Sequence, residues 1–153
     1  MTFDDLLENL GERLGLELKA DGDGACELAV DDMTVVLQND VMAHFVGLWG
    51  DIGEPPPQGL EGLLSSMLEA NYFFKGTSGA TISRDADTGR FSLCRVLDMR
   101  SIDGDEFFAC LEDFVNTLET WRGLLVDYRP PENPSDADES APPAFGSDAF
   151  LAV

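Results

Sequence analysis

The chain has 153 residues, 44% of them hydrophobic, and 30 acidic side chains against 9 basic ones give a net charge of −21. That length holds one ordinary domain and a tail, with enough apolar material for a core. Charge this negative repels nucleic acid and anionic membranes, and it favours solubility, basic partners or metal cations.

Thr2-Phe3-Asp4-Asp5 opens a first helix, with Thr2 as cap and Asp5 reaching back to it. Phe3, Leu6, Leu7, Leu10 and Leu14 form its apolar stripe, and Gly15 is placed to end it. Leu16–Ala20 reads as a short strand. Asp21-Gly22-Asp23-Gly24 is a turn, because glycine and aspartate tolerate positive φ. Cys26–Val30 alternates, with Cys26, Leu28 and Val30 on one side; Asp31-Asp32 turns the chain, and Met33–Gln38 follows as the third strand of an antiparallel meander.

Val41–Gly50 reads as a further strand, apolar on both faces: Val41, Phe45 and Trp49 against Met42, Val46 and Leu48. A strand of that kind is central in the fold or covered by a partner. Glu54-Pro55-Pro56-Pro57 stops it. Leu60–Asn71 returns to the helical period through Leu60, Leu63, Leu64, Met67 and Leu68, with only Glu61 and Glu69 charged. Thr77–Arg84 and Phe91–Met99 form a hairpin around Asp85–Arg90.

Asp103–Leu125 is the longest periodic stretch, roughly 30 Å as a helix. Phe107, Leu111, Phe114, Leu118, Trp121 and Leu125 make one stripe, widened by Phe108 and Val115, and Asp103 with Glu106 forms an acidic capping box. So broad an aromatic stripe needs an apolar surface to lie on, and a sheet supplies one. Beyond Tyr128, five prolines among Ser, Asp, Glu and Ala mark residues 129–153 as a disordered tail. Phe145, Phe150 and Leu151 near its end make at most a weak docking motif. The domain is therefore 1–128.

Little in the chain suggests catalysis. The single histidine, His44, falls on an expected strand among apolar residues, whereas nucleophilic triads and most zinc sites need imidazole as base or ligand. Asp85-x-Asp87-x-Gly89 invites a calcium reading, but an EF-hand needs Gly and Glu where Arg90 and Val96 stand. Gly76-Thr77-Ser78-Gly79 lacks the lysine of a phosphate loop. No enzyme, no cofactor and no metal site is expected. Cys26, Cys94 and Cys110 are odd in number, lack close spacing and sit among apolar neighbours, which reads as free buried thiols in a reducing compartment. The acidic start and the absence of a ~20-residue apolar run lead us to expect a cytoplasmic protein.

The chain resembles the class I type III secretion chaperones, the Tir chaperone (CesT) family, over about residues 3–126. The resemblance rests on Leu6-Leu7, Leu10-Gly11 and Leu14-Gly15-Leu16, then the Asp31-Asp32 hairpin, Leu68-Glu69-Ala70-Asn71, Gly79-Ala80-Thr81-Ile82 and Asp87-Thr88-Gly89. Phe107, Leu111, Phe114, Val115 and Trp121 close it. It implies an α+β fold in the order α-β-β-β-(β)-α-β-β-α, a twisted antiparallel sheet packed by helices, and a homodimer. It also implies an ATP-independent chaperone that holds the N-terminal region of a secreted effector in extended form, soluble and ready for export. The export apparatus would be a further contact.

Within that expectation, Phe3, Leu7, Leu10, Leu18 and Leu28 are the candidate effector-binding residues. Phe45, Leu48, Trp49, Leu63 and Met67 are the candidate dimer interface. The competing readings are a regulatory protein of the same fold that sequesters its partner, and a small metal-dependent enzyme.

Overall fold

α1 (Phe3–Leu14) starts where expected: the Asp5 amide donates to Thr2 Oγ1 at 3.1 Å and the Thr2 amide to Asp5 Oδ2 at 2.8 Å, a reciprocal capping box. The computed structural model describes residues 1–40 and 42–132; Val41 and the end of the tail, with Phe145, Phe150 and Leu151, lie outside the described residues. The strands are β1 (Ala25–Val30), β2 (Met33–Asp40), β3 (Phe45–Gly53), β4 (Thr81–Arg84) and β5 (Phe91–Asp98). α2 (Leu60–Asn71) separates β3 from β4, and α3 (Gly104–Asp127) closes the order.

The strands form one antiparallel sheet of five, in the order β1-β2-β3-β5-β4. Because side chains alternate, each strand divides between two faces. Leu28, Val35, Leu37, Val46, Leu48, Ile52 and Leu93 are buried on the inner face, where α3 lies. A Cβ at Gly50 would stand 2.4 Å from Cδ2 of Leu118, itself 0% exposed. Glycine at this point lets the helix sink into the centre of the sheet. Phe107, Leu111, Phe114, Leu118 and Trp121 are all buried beneath it, each contributing about 2–3 kcal/mol of apolar burial. Trp121 also donates from its indole nitrogen to the Gly76 carbonyl at 2.8 Å, tying the loop after α2 to α3.

Asp103 caps α3 as expected, accepting from the Asp105 and Glu106 amides at 2.9 Å each. At the other end Tyr128 reaches back to α2, its hydroxyl donating to the Gly59 carbonyl at 2.7 Å. The edge strand β4 is closed by a side chain. Asn71 donates to the Ile82 carbonyl at 3.1 Å and accepts from its amide at 2.8 Å, imitating one step of a ladder.

Three expectations need correction. Leu16–Ala20 is not a strand among the described residues, because no neighbouring strand pairs with it. The expected strand from Thr77 begins only at Thr81, since Ser78 and Gly79 take positive φ and the Ala80 amide turns back to the Thr77 carbonyl. His44 stands in the β2–β3 turn at φ 58 and is exposed, and β3 starts after it. There the Asp40 carboxylate accepts the Met42 and Ala43 amides, which sets the turn.

Two outcomes follow from this packing. Gly50→Ala should lower stability by about 1–3 kcal/mol through overpacking against Leu118. Gly47→Ala, on the opposite face with only Gln38 near its Cβ at 3.8 Å or more, should be near neutral; equal shifts of the urea midpoints would contradict the face assignment. The second concerns acid. Asp98 accepts hydrogen bonds from the Arg100 side chain and then from its backbone amide, and they hold its carboxyl at about 2. A lowered folded value means the contribution is present above the ordinary carboxylate range and is lost as pH falls through it towards 2. Asp98→Asn should therefore flatten the fall in melting temperature between pH 4 and 2.

Candidate functional site

Gly11 lies inside α1, where alanine would favour the helix by up to ~1 kcal/mol. A Cβ there would stand 2.5 Å from the Leu16 carbonyl oxygen, so the position needs glycine for the chain to return across the helix. Gly15, at φ 68, makes the return, and the Leu16 amide donates to the Gly11 carbonyl at 2.9 Å. The residues from Leu16 to Ala20 then face α1. Between them is an open groove of about 540 Å³, lined by Asp4, Leu7, Glu8 and Gly11 on one side and Leu16, Glu17, Leu18, Lys19 and Ala20 on the other. The four helical residues are spaced as a single stripe.

The Leu16–Ala20 wall keeps the alternation of a strand: Leu18 and Ala20 are half-buried, Glu17 and Lys19 exposed. Among the described residues, Glu17, Leu18, Lys19 and Ala20 make no backbone–backbone hydrogen bond. Glu17 and Lys19 pair with each other at 2.5 Å, and this hydrogen bond lowers the Glu17 carboxyl and raises the Lys19 ammonium from their usual ranges. Behind the wall, burial pushes the Cys26 thiol up, opposed by a hydrogen bond with the Lys19 backbone.

Of the residues expected to meet a partner, Leu7 forms the floor of this groove and Leu18 its wall. Phe3, Leu10 and Leu28 are buried in the core behind them. Sequence reading missed Asp4, Glu8, Gly11, Leu16, Glu17, Lys19 and Ala20 as groove residues. A glycine inside an otherwise regular helical pattern was the available signal.

The outer face of the sheet carries no helix. The register puts Val36 opposite Trp49 and Trp49 opposite Cys94, an apolar row across β2, β3 and β5, with Val96 and Phe45 beside it. Trp49 is 42% and Val96 65% exposed. Of the residues expected at a dimer interface, Trp49 and Phe45 lie on this face. Leu48 points to the inner face, and Leu63 and Met67 are buried on α2 within the single chain. Leu68, Tyr72, Phe73 and Phe74 leave further apolar surface exposed at the end of α2. Among the described residues, no group of three or more His, Cys, Asp or Glu is placed to hold a metal ion. No helix there is long and apolar enough to cross a membrane.

Backbone without ladder partners beside a groove is a place where an added strand can pair. The chain belongs to the Tir chaperone protein (CesT) family, whose model matches residues 5–122. It is similar in fold to a chain of the ExsC–ExsE complex, at 22% identity and TM-score 0.68, covering 82% of this chain and 97% of that one. It is likewise similar to a chain of the Yersinia pestis type III secretion chaperone SycH in complex with a fragment of YscM2 (21% identity, TM-score 0.64, 78% of this chain and 99% of that). A third such structure is the ExoU–SpcU complex from the type III secretion system of Pseudomonas aeruginosa (18% identity, TM-score 0.64, 81% and 98%). No curated protein matches the sequence.

Burial separates the groove residues. Leu7→Asp places a carboxylate at a site 2% exposed and should cost more than ~3 kcal/mol, enough to abolish the folding transition. Leu18→Asp, at the half-buried wall, should keep a cooperative melt within about 1 kcal/mol of the parent. Circular dichroism melts of the two variants check this ordering.

Proposed function

We propose that this protein is a cytoplasmic, ATP-independent type III secretion chaperone that holds the N-terminal region of a secreted effector in extended form. The observation that carries the reading is the wall at Leu16–Ala20. It has a strand's alternation and unladdered backbone, and it stands beside an apolar groove in a CesT-family fold. An added strand supplies the missing ladder, main-chain bonds give affinity, and Leu7 and Leu18 select apolar side chains. Phe3, Leu10 and Leu28 fix the groove from behind. Nothing in this mode requires a bond to be made or broken, and no catalytic step is assigned. The structural relatives include a chaperone–effector complex, HopA1–SchA, which supports an effector as the partner.

The partner copy belongs on the outer face of the sheet. Trp49, Phe45, Val36 and Val96 leave there an apolar row that a soluble monomer seldom exposes, and a second copy covers it. Leu48 backs that row from the inner face of the sheet, while Leu63 and Met67 are buried on α2 within the single chain. The domain is 1–128, with 129–153 as an appended acidic tail.

Two measurements test these assignments. The parent should scatter light as a dimer at micromolar concentration, and Trp49→Asp as a folded monomer; a monomeric parent overturns the interface. In co-expression with the N-terminal segments of secreted proteins of the host's type III system, Leu18→Asp should weaken capture of the client about 100-fold while leaving the dimer intact. Undiminished capture would move the binding site elsewhere.

A further inference from the structure

Asp4 and Glu8 stand one helical turn apart on the groove side of α1. Like charges at this spacing repel by a few tenths of a kcal/mol. Of the side-chain cations nearest in sequence, Arg13 pairs with Asp105, and Lys19, on the opposite wall, pairs with Glu17. Among the described residues, no ion pair reaches Asp4 or Glu8. The groove thus offers an apolar floor at Leu7 and, beside it, an acidic rim at Asp4 and Glu8 that is free of ion pairs among the described residues.

The acidic row shares its spacing with a strand. Residues i and i+4 on a helix are about 6 Å apart along its axis, while every second side chain of a strand recurs at about 6.7 Å. A strand lying in the groove therefore meets the acidic row in step. Its inward side chains face the floor at Leu7, and its outward ones fall at the level of Asp4 and Glu8.

We propose that the groove selects a basic partner strand, with apolar residues at alternate positions and a lysine or arginine between them that is clasped by Asp4 and Glu8. This rests on the strand-binding reading of the groove and adds the chemistry of its occupant. The client's cation removes the repulsion that the free chaperone carries, so the charge pair favours the bound state and opposes the free one.

The test uses three synthetic ten-residue peptides, with leucine alternating with lysine, serine or glutamate, titrated against the full chain by fluorescence anisotropy. The lysine peptide should bind about tenfold tighter than the serine peptide, the glutamate peptide weakest, and the advantage should fade as salt rises. Asp4→Asn with Glu8→Gln should remove that tenfold preference, while Glu112→Gln with Asp113→Asn, both exposed on α3, should preserve it. Glu8→Gln alone should raise the melting temperature of the free protein while weakening the lysine peptide, a pair of opposite signs that loss of fold cannot produce. Equal binding of the lysine and serine peptides overturns the basic selectivity and leaves the groove reading standing. An equal loss in both double variants reduces the effect to general surface charge and also overturns it. If no peptide binds at any charge, the strand-binding reading fails, and the selectivity fails with it.

Discussion

Leu118 occupies the space that a side chain at Gly50 would fill. This close approach sets the rest of the architecture. It brings α3 deep onto the middle of β3, so that one helix of 24 residues covers the inner face with Phe107, Phe114 and Trp121. The start of α3 is then fixed against α1, where Arg13 pairs with Asp105 and lies over the Phe108 ring. With α1 held there, the chain leaving Gly15 can only return across Gly11, and that return makes the groove. The opposite face of the sheet receives no helix, and its apolar row, with Trp49 and Val96, is left exposed. Both proposed contact surfaces are consequences of where α3 lies.

Much of this was legible because it is local. The stripes of α1, α2 and α3, the capping boxes at Thr2 and Asp103, and the αL end at Gly15 each depend on residues within a turn of one another, and their bounds came out within two residues. The order of helices and strands followed from period and turn chemistry for the same reason. What the sequence could not show is which face a helix would cover. Trp49 and Leu48 look equivalent as apolar residues of one strand, yet one is exposed and the other buried, because α3 lies on the side of Gly50. Phe3, Leu10 and Leu28 went to the core by the same non-local rule.

The corrected strand at Leu16–Ala20 is the most informative departure. Its alternation is real, and the pattern alone predicts a strand. A strand also needs a neighbour, and this chain provides none, since β1 pairs only with β2. Local pattern and tertiary structure disagree here, and such disagreements concentrate at functional sites, where the sequence is suited to a partner that the single chain lacks. The shortened strand at Thr81 differs in kind. There the left-handed Ser78 and Gly79 turn the chain, and the Trp121 bond to Gly76 spends the loop's backbone on α3.

The two ends of the sheet are treated unequally. At β4 the amide of Asn71 satisfies both outward groups of Ile82, a device that blunts an edge against pairing. At the other end, β1 is flanked by Leu16–Ala20, which carries unladdered backbone and a groove behind it. In the proposed mode, a segment seeking a ladder is refused at the first edge and accepted at the second, where its side chains also find Leu7 and Leu18. In a net charge of −21 the same segment meets long-range attraction if it is basic and repulsion if it is acidic. In the proposed mode, then, backbone geometry decides where a chain can add, apolar side chains its register, and charge which chains arrive.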